Sequence, residues 1–161
     1  MVIVLMGVTG SGKTTIGLAL AESLQWQFVD ADDFHSAANV AKMRAAIPLD
    51  DADRAPWLAS LRDAIVAWLE ARTNVVLACS ALKQAYREQL LVGPDVRLVY
   101  LRGSRELISQ RLSQRHGHYM DPRLLASQFA TLEEPRDAVF ADVKANVPDI
   151  VDQIRKELGI S

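Results

Sequence analysis

Residues Gly7-Val8-Thr9-Gly10-Ser11-Gly12-Lys13-Thr14 constrain this chain more than any other segment. They fit G-x-x-x-x-G-K-[ST] in full. The motif stands between an apolar run, Val2–Met6, and a stretch from Lys13 to Leu24 with Ile16, Leu20 and Leu24 at helical spacing. A strand, a glycine-rich turn and a helix in that order make a phosphate cradle. The glycines reach backbone angles closed to other residues and let the chain approach an anion closely. The loop amides then point inward as a nest, and the helix adds its positive end. Lys13 brings a mobile charge to the β- and γ-phosphates, and Thr14 offers a hydroxyl to Mg²⁺. The nucleotide-binding candidates are therefore Gly7, Val8, Thr9, Gly10, Ser11, Gly12, Lys13, Thr14 and Thr15. The chain has no G-x-G-x-x-G, so a dinucleotide fold has no support.

The rest of the chain repeats the strand–helix alternation. Phe28–Asp30, Val75–Cys79, Val96–Leu101 and Val139–Val143 read as further strands. Helical patterns cover His35–Ala46, the stretch marked by Leu58, Leu61, Ile65, Trp68 and Leu69, then Leu82–Leu91 and Glu106–Arg115. A last helix is bounded by Pro148 and Gly159. Five strands alternating with helices imply a parallel sheet in a three-layer α/β/α domain with right-handed crossovers. Ligands in such sheets bind at the carboxyl ends of the strands, here after Met6, Asp30, Cys79 and Leu101. The 161 residues suit one domain spanning 1–161.

Composition excludes several classes. The net charge of −2 argues against a wholesale nucleic-acid binder. Val2–Met6 is too short for a membrane span and has no basic segment before it, so a cytoplasmic address with no membrane partner is expected. Cys79 is the only cysteine, which fits a reducing compartment. No basic partner is implied for it, so it reads as a small core residue and not as a nucleophile.

Candidate acceptor chemistry gathers at the strand ends. Asp30, Asp32 and Asp33 place three carboxylates within four residues. One would serve a magnesium shell through water and one a substrate hydroxyl; the alternative is a solvated turn with Asp as a helix cap. Asp50-Asp51-Ala52-Asp53 reads as an acidic loop leading to a helix cap, with Trp57 packed behind it. Arg54 there can grip a carboxylate with two parallel hydrogen bonds. Ser80, Lys83 and Arg87 follow the third strand and suit an anionic or polyhydroxylated acceptor. Arg111 and Arg115 share a helix face, and His116-Gly117-His118 resembles a turn. A closing lid needs such cations for the transferring phosphoryl group; the alternative is a solvated basic face. His116 and His118 lack further ligands for a metal site.

Taken in order, these residues resemble the gluconokinases of the short phosphate-loop type. The resemblance is carried by Gly7–Thr14, Asp30-Ala31-Asp32-Asp33-Phe34-His35, Asn39, Lys42-Met43, Pro48-Leu49 and Asp53-Arg54-Ala55-Pro56-Trp57-Leu58. It continues through Cys79-Ser80-Ala81-Leu82-Lys83, Tyr86-Arg87, Gly117-His118, Ser127-Gln128-Phe129 and Leu132-Glu133-Glu134-Pro135. Ala31 and Tyr119 stand where Gly and Phe are frequent in that family. The resemblance implies ATP-dependent phosphorylation of D-gluconate on its terminal hydroxyl, with Mg²⁺ as the metal. It implies a nucleoside-monophosphate-kinase-like sheet of order 2-3-1-4-5, an acceptor-binding segment over about 35–58 and a helical lid over about 111–122. Homodimers are frequent in similar enzymes. By similarity with shikimate kinases, Asp30 joins Thr14 at the metal, and Asp32 meets the substrate. The catalytic candidates are then Lys13, Asp32, Arg111 and Arg115. The substrate candidates are Asp32, His35, Arg54, Ser80, Lys83, Arg87 and His118. A kinase of this fold with a shikimate or nucleotide acceptor is the nearest alternative. A nucleotide switch is further away, since no N-K-x-D guanine motif is present.

Overall fold

The computed structural model describes residues 1–114 and 122–161. Five parallel strands form one sheet: β1 (Val2–Met6), β2 (Gln27–Asp30), β3 (Val75–Ala78), β4 (Val96–Arg102) and β5 (Val139–Asp142), in the order β2-β3-β1-β4-β5. This is the order that the resemblance implied. β1 lies at the centre, with Leu5 in register with Ala78 of β3 and Val99 of β4. All five of its residues are buried, as a strand covered on both faces requires.

The strand pleat explains the layers. Val2, Val4 and Met6 point to one face, where they pack with Leu58, Leu61 and Ile65 of α3 (Asp51–Glu70) and Leu90 of α4 (Gln84–Leu90). Ile3 and Leu5 point to the other. There they meet Ile16 and Leu20 of α1 (Lys13–Leu24) and Ile150 and Ile154 of α7 (Val147–Leu158). A third, smaller cluster joins Val8 of the phosphate loop to Ile108 of α5 (Arg105–Ser113) and Leu125 of α6 (Pro122–Thr131). None of the helices among the described residues is long and apolar enough to cross a membrane.

Caps move several boundaries from those expected. Ser36 accepts a hydrogen bond from the Asn39 N–H, so α2 spans Ala37–Arg44 and begins after His35. The expected acidic loop at Asp50–Asp53 is the start of α3 itself. The Asp50 carboxylate accepts from the Asp53 N–H at 2.7 Å, and the Asp53 carboxylate accepts from the Asp50 N–H at 3.1 Å. That reciprocal pair starts the helix well before Leu58. α6 has no counterpart among the expected helices; Pro122 at its first position is the signal that marks its start. For α7, Asn146 caps the first turn and Gly159 closes the helix at φ 69°.

Candidate active site

The chain leaves β1 and β3 side by side at the carboxyl edge, where the strand order reverses direction, and the phosphate loop fills that point. The Gly7 N–H donates to the Ser80 carbonyl at 3.3 Å, tying the loop to the segment after β3. Gly10 and Gly12 sit at φ 77° and 96°, in the left-handed region. A Cβ on Gly10 would lie 2.7 Å from Leu112 on α5, so any side chain there would collide with that helix. The Lys13 ammonium donates to the Gly7 and Val8 carbonyls at 2.9 and 3.0 Å. Burial lowers its pKa, with Asp32, Cys79 and Asp30 pulling the other way. Ser11 is fully buried, and its hydroxyl is an orphan polar atom among the described residues. A half-buried cation bonded to two carbonyls, an orphan hydroxyl and inward glycines form a donor set suited to phosphate oxygens.

A cavity of about 580 Å³ opens beside this loop. Thr9, Gly10, Gly12, Lys13, Thr14 and Thr15 line it on one side. Asp30, Asp32, His35, Arg54 and Ser80 line it on the other. Met43 of α2, with Ile47, Pro48 and Leu49 of the segment between α2 and α3, forms an apolar wall. Thus most of the candidates read from the sequence meet in one space.

The carboxylates are set by a single turn of 3-10 helix, Ala31–Phe34. Asp30 accepts the Asp32 N–H at 2.9 Å through Oδ1, so it caps that turn and keeps Oδ2 for other duty. The Asp32 side chain is 63% exposed at the mouth of the cleft, with His35 Nε2 3.9 Å from its Oδ1, and partial desolvation, followed by the Asp30 charge, raises its pKa. His35 stacks on Trp57 with ring centroids 4.4 Å apart and planes 12° apart. The Trp57 indole N–H donates to the Ala31 carbonyl at 2.7 Å, pinning α3 to the 3-10 turn. Arg54 lies on α3, one turn before Trp57. Its Nη1 donates to the Tyr86 hydroxyl at 3.1 Å, and no carboxylate pairs with it among the described residues.

Other candidates are placed differently. Arg87 is a correction: its guanidinium is not in the cavity but buried beneath the loop after β3. Nη1 donates to the Ala81 and Leu82 carbonyls at 2.8 and 3.1 Å, and Nη2 donates to the Glu133 carbonyl at 2.7 Å and to Gln84 Oε1 at 3.1 Å. All its donors on those nitrogens serve the chain itself. Lys83 also stays out of the cavity lining, in an ion pair with Asp51 at 3.1 Å. Arg111 lies on α5 outside the lining as well. Gly7, Val8 and Ser11 form the loop beneath the surface of the cavity. Arg115 and His118, with most of the expected lid, lie outside the described residues. Cys79 is buried, and its thiol is pushed up to about 12 by that burial, which removes a thiolate nucleophile at neutral pH.

Sequence reasoning gave no role to Gln128. The Thr9 N–H of the phosphate loop donates to its Oε1 at 2.6 Å, and the residue lines the cavity from α6. Tyr86 was likewise without a role. Its hydroxyl donates to Asp51 Oδ1 at 2.5 Å while it accepts from Arg54, and so it aims that guanidinium.

Comparison with known proteins agrees with this geometry. The AAA domain family matches residues 2–138. A probable gluconokinase of Rattus norvegicus is 42% identical over 179 residues, covering 98% of this chain and 97% of its own. The thermosensitive gluconokinase of Escherichia coli K12 is 42% identical, covering 95% and 84%. The chain belongs to the gluconokinase family. A crystal structure of a gluconokinase from Sinorhizobium meliloti 1021 superposes with a TM-score of 0.88 at 40% identity, covering 98% of this chain and 90% of that one. Shikimate kinase from Aquifex aeolicus, at 18% identity and a TM-score of 0.59, shares the fold.

Proposed function

We propose that this gluconokinase-family protein transfers the γ-phosphoryl group of ATP to the terminal hydroxyl of D-gluconate, giving 6-phospho-D-gluconate and ADP. The observation that carries the reading is one cavity lined at one end by the phosphate loop and at the other by Asp32, His35 and an Arg54 guanidinium without a carboxylate partner. The relatives' names support the same reaction.

In the transfer, the bond from the γ-phosphorus to the β,γ-bridging oxygen breaks and a bond to the gluconate hydroxyl oxygen forms. The protein's share is positioning and charge. The loop amides and Lys13 hold the β- and γ-phosphates, with the Lys13 ammonium leaving the Gly7 and Val8 carbonyls to do so. Asp32 accepts the hydrogen bond of the attacking hydroxyl and can take its proton late, a role favoured by its raised pKa. Arg54 pairs with the substrate carboxylate through its fork of donors, and Ser80 meets a hydroxyl. Arg111, Arg115 and His118 would act from the lid on closure. Bound Mg²⁺ supplies charge neutralisation on the phosphates. Its protein ligands would be the Thr14 hydroxyl and Asp30 Oδ2, directly or through water, which suits an ion that takes few protein ligands.

ADP release from ATP, measured with and without D-gluconate, tests this reading. Gluconate-dependent turnover is expected, with glucose a poor acceptor because it lacks a carboxylate. Equal kcat/KM for the two sugars would overturn the assignment of Arg54, and absence of gluconate-dependent ADP would overturn the function.

A further inference from the structure

The hydrogen bonds of Asn39 determine which nitrogen of His35 carries its proton. Asn39 Nδ2 lies 2.9 Å from the Asp53 carbonyl oxygen and 3.2 Å from His35 Nδ1. A carbonyl oxygen can only accept, so the Asn39 atom between the two is the amide nitrogen. One of its hydrogens goes to Asp53, and the other points at His35 Nδ1, which therefore holds a lone pair. A proton on Nδ1 would set N–H against N–H. Burial, and secondly the Arg54 charge, lower the imidazole pKa, so the ring is neutral at pH 7 and its proton sits on Nε2. The stack on Trp57 keeps the ring from turning over.

His35 Nε2 is 3.9 Å from Asp32 Oδ1. That is too long for a direct hydrogen bond, but one oxygen about 2.8 Å from each would span it. The bridging atom must accept from Nε2–H and donate to a carboxylate. A hydroxyl does both; a carbonyl oxygen cannot donate, and an ammonium cannot accept. Asp32 Oδ2 stays available for the attacking hydroxyl, and the two oxygens of a carboxylate suit neighbouring hydroxyls. We propose that Asn39 is a positioning residue that holds His35 as its Nε2–H tautomer, so that His35 and Asp32 Oδ1 together read the acceptor hydroxyl next to the one phosphorylated. The hydroxyl assignment rests on the gluconate reading; the tautomer does not.

Nitrogen-15 NMR of the imidazole rings tests the tautomer in the unmodified protein. The chain has three histidines, and loss of one signal set in His35→Gln assigns the ring. At pH 7 a bare Nδ1 and a protonated Nε2 are expected for His35. A protonated Nδ1, or the averaged shifts of a free imidazole, would overturn the proposal. Asn39→Leu, where it folds by thermal melting, is expected to average the two tautomers. Its KM for gluconate should rise about tenfold, the loss of one hydrogen bond in the site, while the KM for ATP holds. An unchanged gluconate KM counts against the positioning role. Turnover of 5-deoxy-D-gluconate is independent of how that variant folds. Its kcat/KM should be at least about tenfold below that of gluconate in the wild type. The gap should shrink below about threefold in His35→Ala, where the donor is already gone. Equal use of both sugars by the wild type would refute the hydroxyl reading and leave the kinase reading standing. Failure of gluconate itself would refute the kinase reading with the tautomer still measurable.

Discussion

Replacing Arg87 by Met separates a structural guanidinium from a substrate-binding one. The side chain is 2% exposed and holds four acceptors, three of them backbone carbonyls. Two of those carbonyls belong to Ala81 and Leu82, in a turn that puts Ala81 at φ 45°, a left-handed conformation strained for a residue with a Cβ. The third, Glu133, follows α6, and its own N–H donates back to the Leu82 carbonyl at 2.8 Å. Arg87 therefore clamps the chain after α6 to the loop that carries Ser80 into the cavity. Met matches the length of the stem but donates nothing. Each carbonyl left without a donor costs about 1–3 kcal/mol, and releasing a buried cation offsets part of that, so a net loss of about 3 kcal/mol is expected. For a domain of this size that lowers the thermal midpoint by about 6–12 °C. Circular-dichroism melting gives the midpoint, and steady-state kinetics well below it give the KM for gluconate. The midpoint should fall while that KM stays within about threefold of wild type. A midpoint within about 1 °C of wild type, joined to a tenfold rise in gluconate KM, would refute the clamp and return Arg87 to the acceptor site.

Further outcomes follow from the same geometry. Lys13→Ala should fold normally and lose about 10²–10³ in kcat, since its charge acts on the phosphoryl group; near-normal turnover would remove Lys13 from the transfer step. Arg54→Lys should raise the KM for gluconate far more than that for ATP, because an ammonium cannot form the two-pronged pair; parallel rises in both would place Arg54 elsewhere. Asp32→Asn should slow turnover yet raise the melting midpoint at pH 7. The folded-state pKa of Asp32 is raised, so its ionised form weakens the fold above that pKa, and the advantage of Asn should fade as pH falls through the carboxylate range. Melting curves that match at pH 7 and at pH 3 would contradict that sign.

The nucleotide side was legible because its chemistry is backbone chemistry. Gly10 and Gly12 stand where the loop needs positive φ, and the motif prints those needs directly into residue type. The sheet was legible for a similar reason, since continuous apolar runs have few other places to go. The acceptor side was only partly so. Arg54 and Arg87 are the same residue type and both lie in recognisable motifs, yet one faces the cavity and the other is consumed by carbonyls. Which fate applies depends on where the chain turns its C=O groups, and the left-handed Ala81 that turns them toward Arg87 carries no mark in its residue type. The Lys83 pair is equally unmarked in the sequence, because Asp51 reaches that lysine only once the capping box has started α3 early.

Asp30 and Asp32 are the case in which a structural and a functional reading hold together. The cap that Asp30 forms on the Asp32 N–H folds the 3-10 turn, and the Trp57 indole fastens that turn to α3 through the Ala31 carbonyl. The turn in turn holds the Asp32 carboxylate at the mouth of the cleft, beside a second acid. In the proposed reaction the capping bond of Asp30 fixes this carboxylate where an acceptor hydroxyl would meet it, and its raised pKa fits that role.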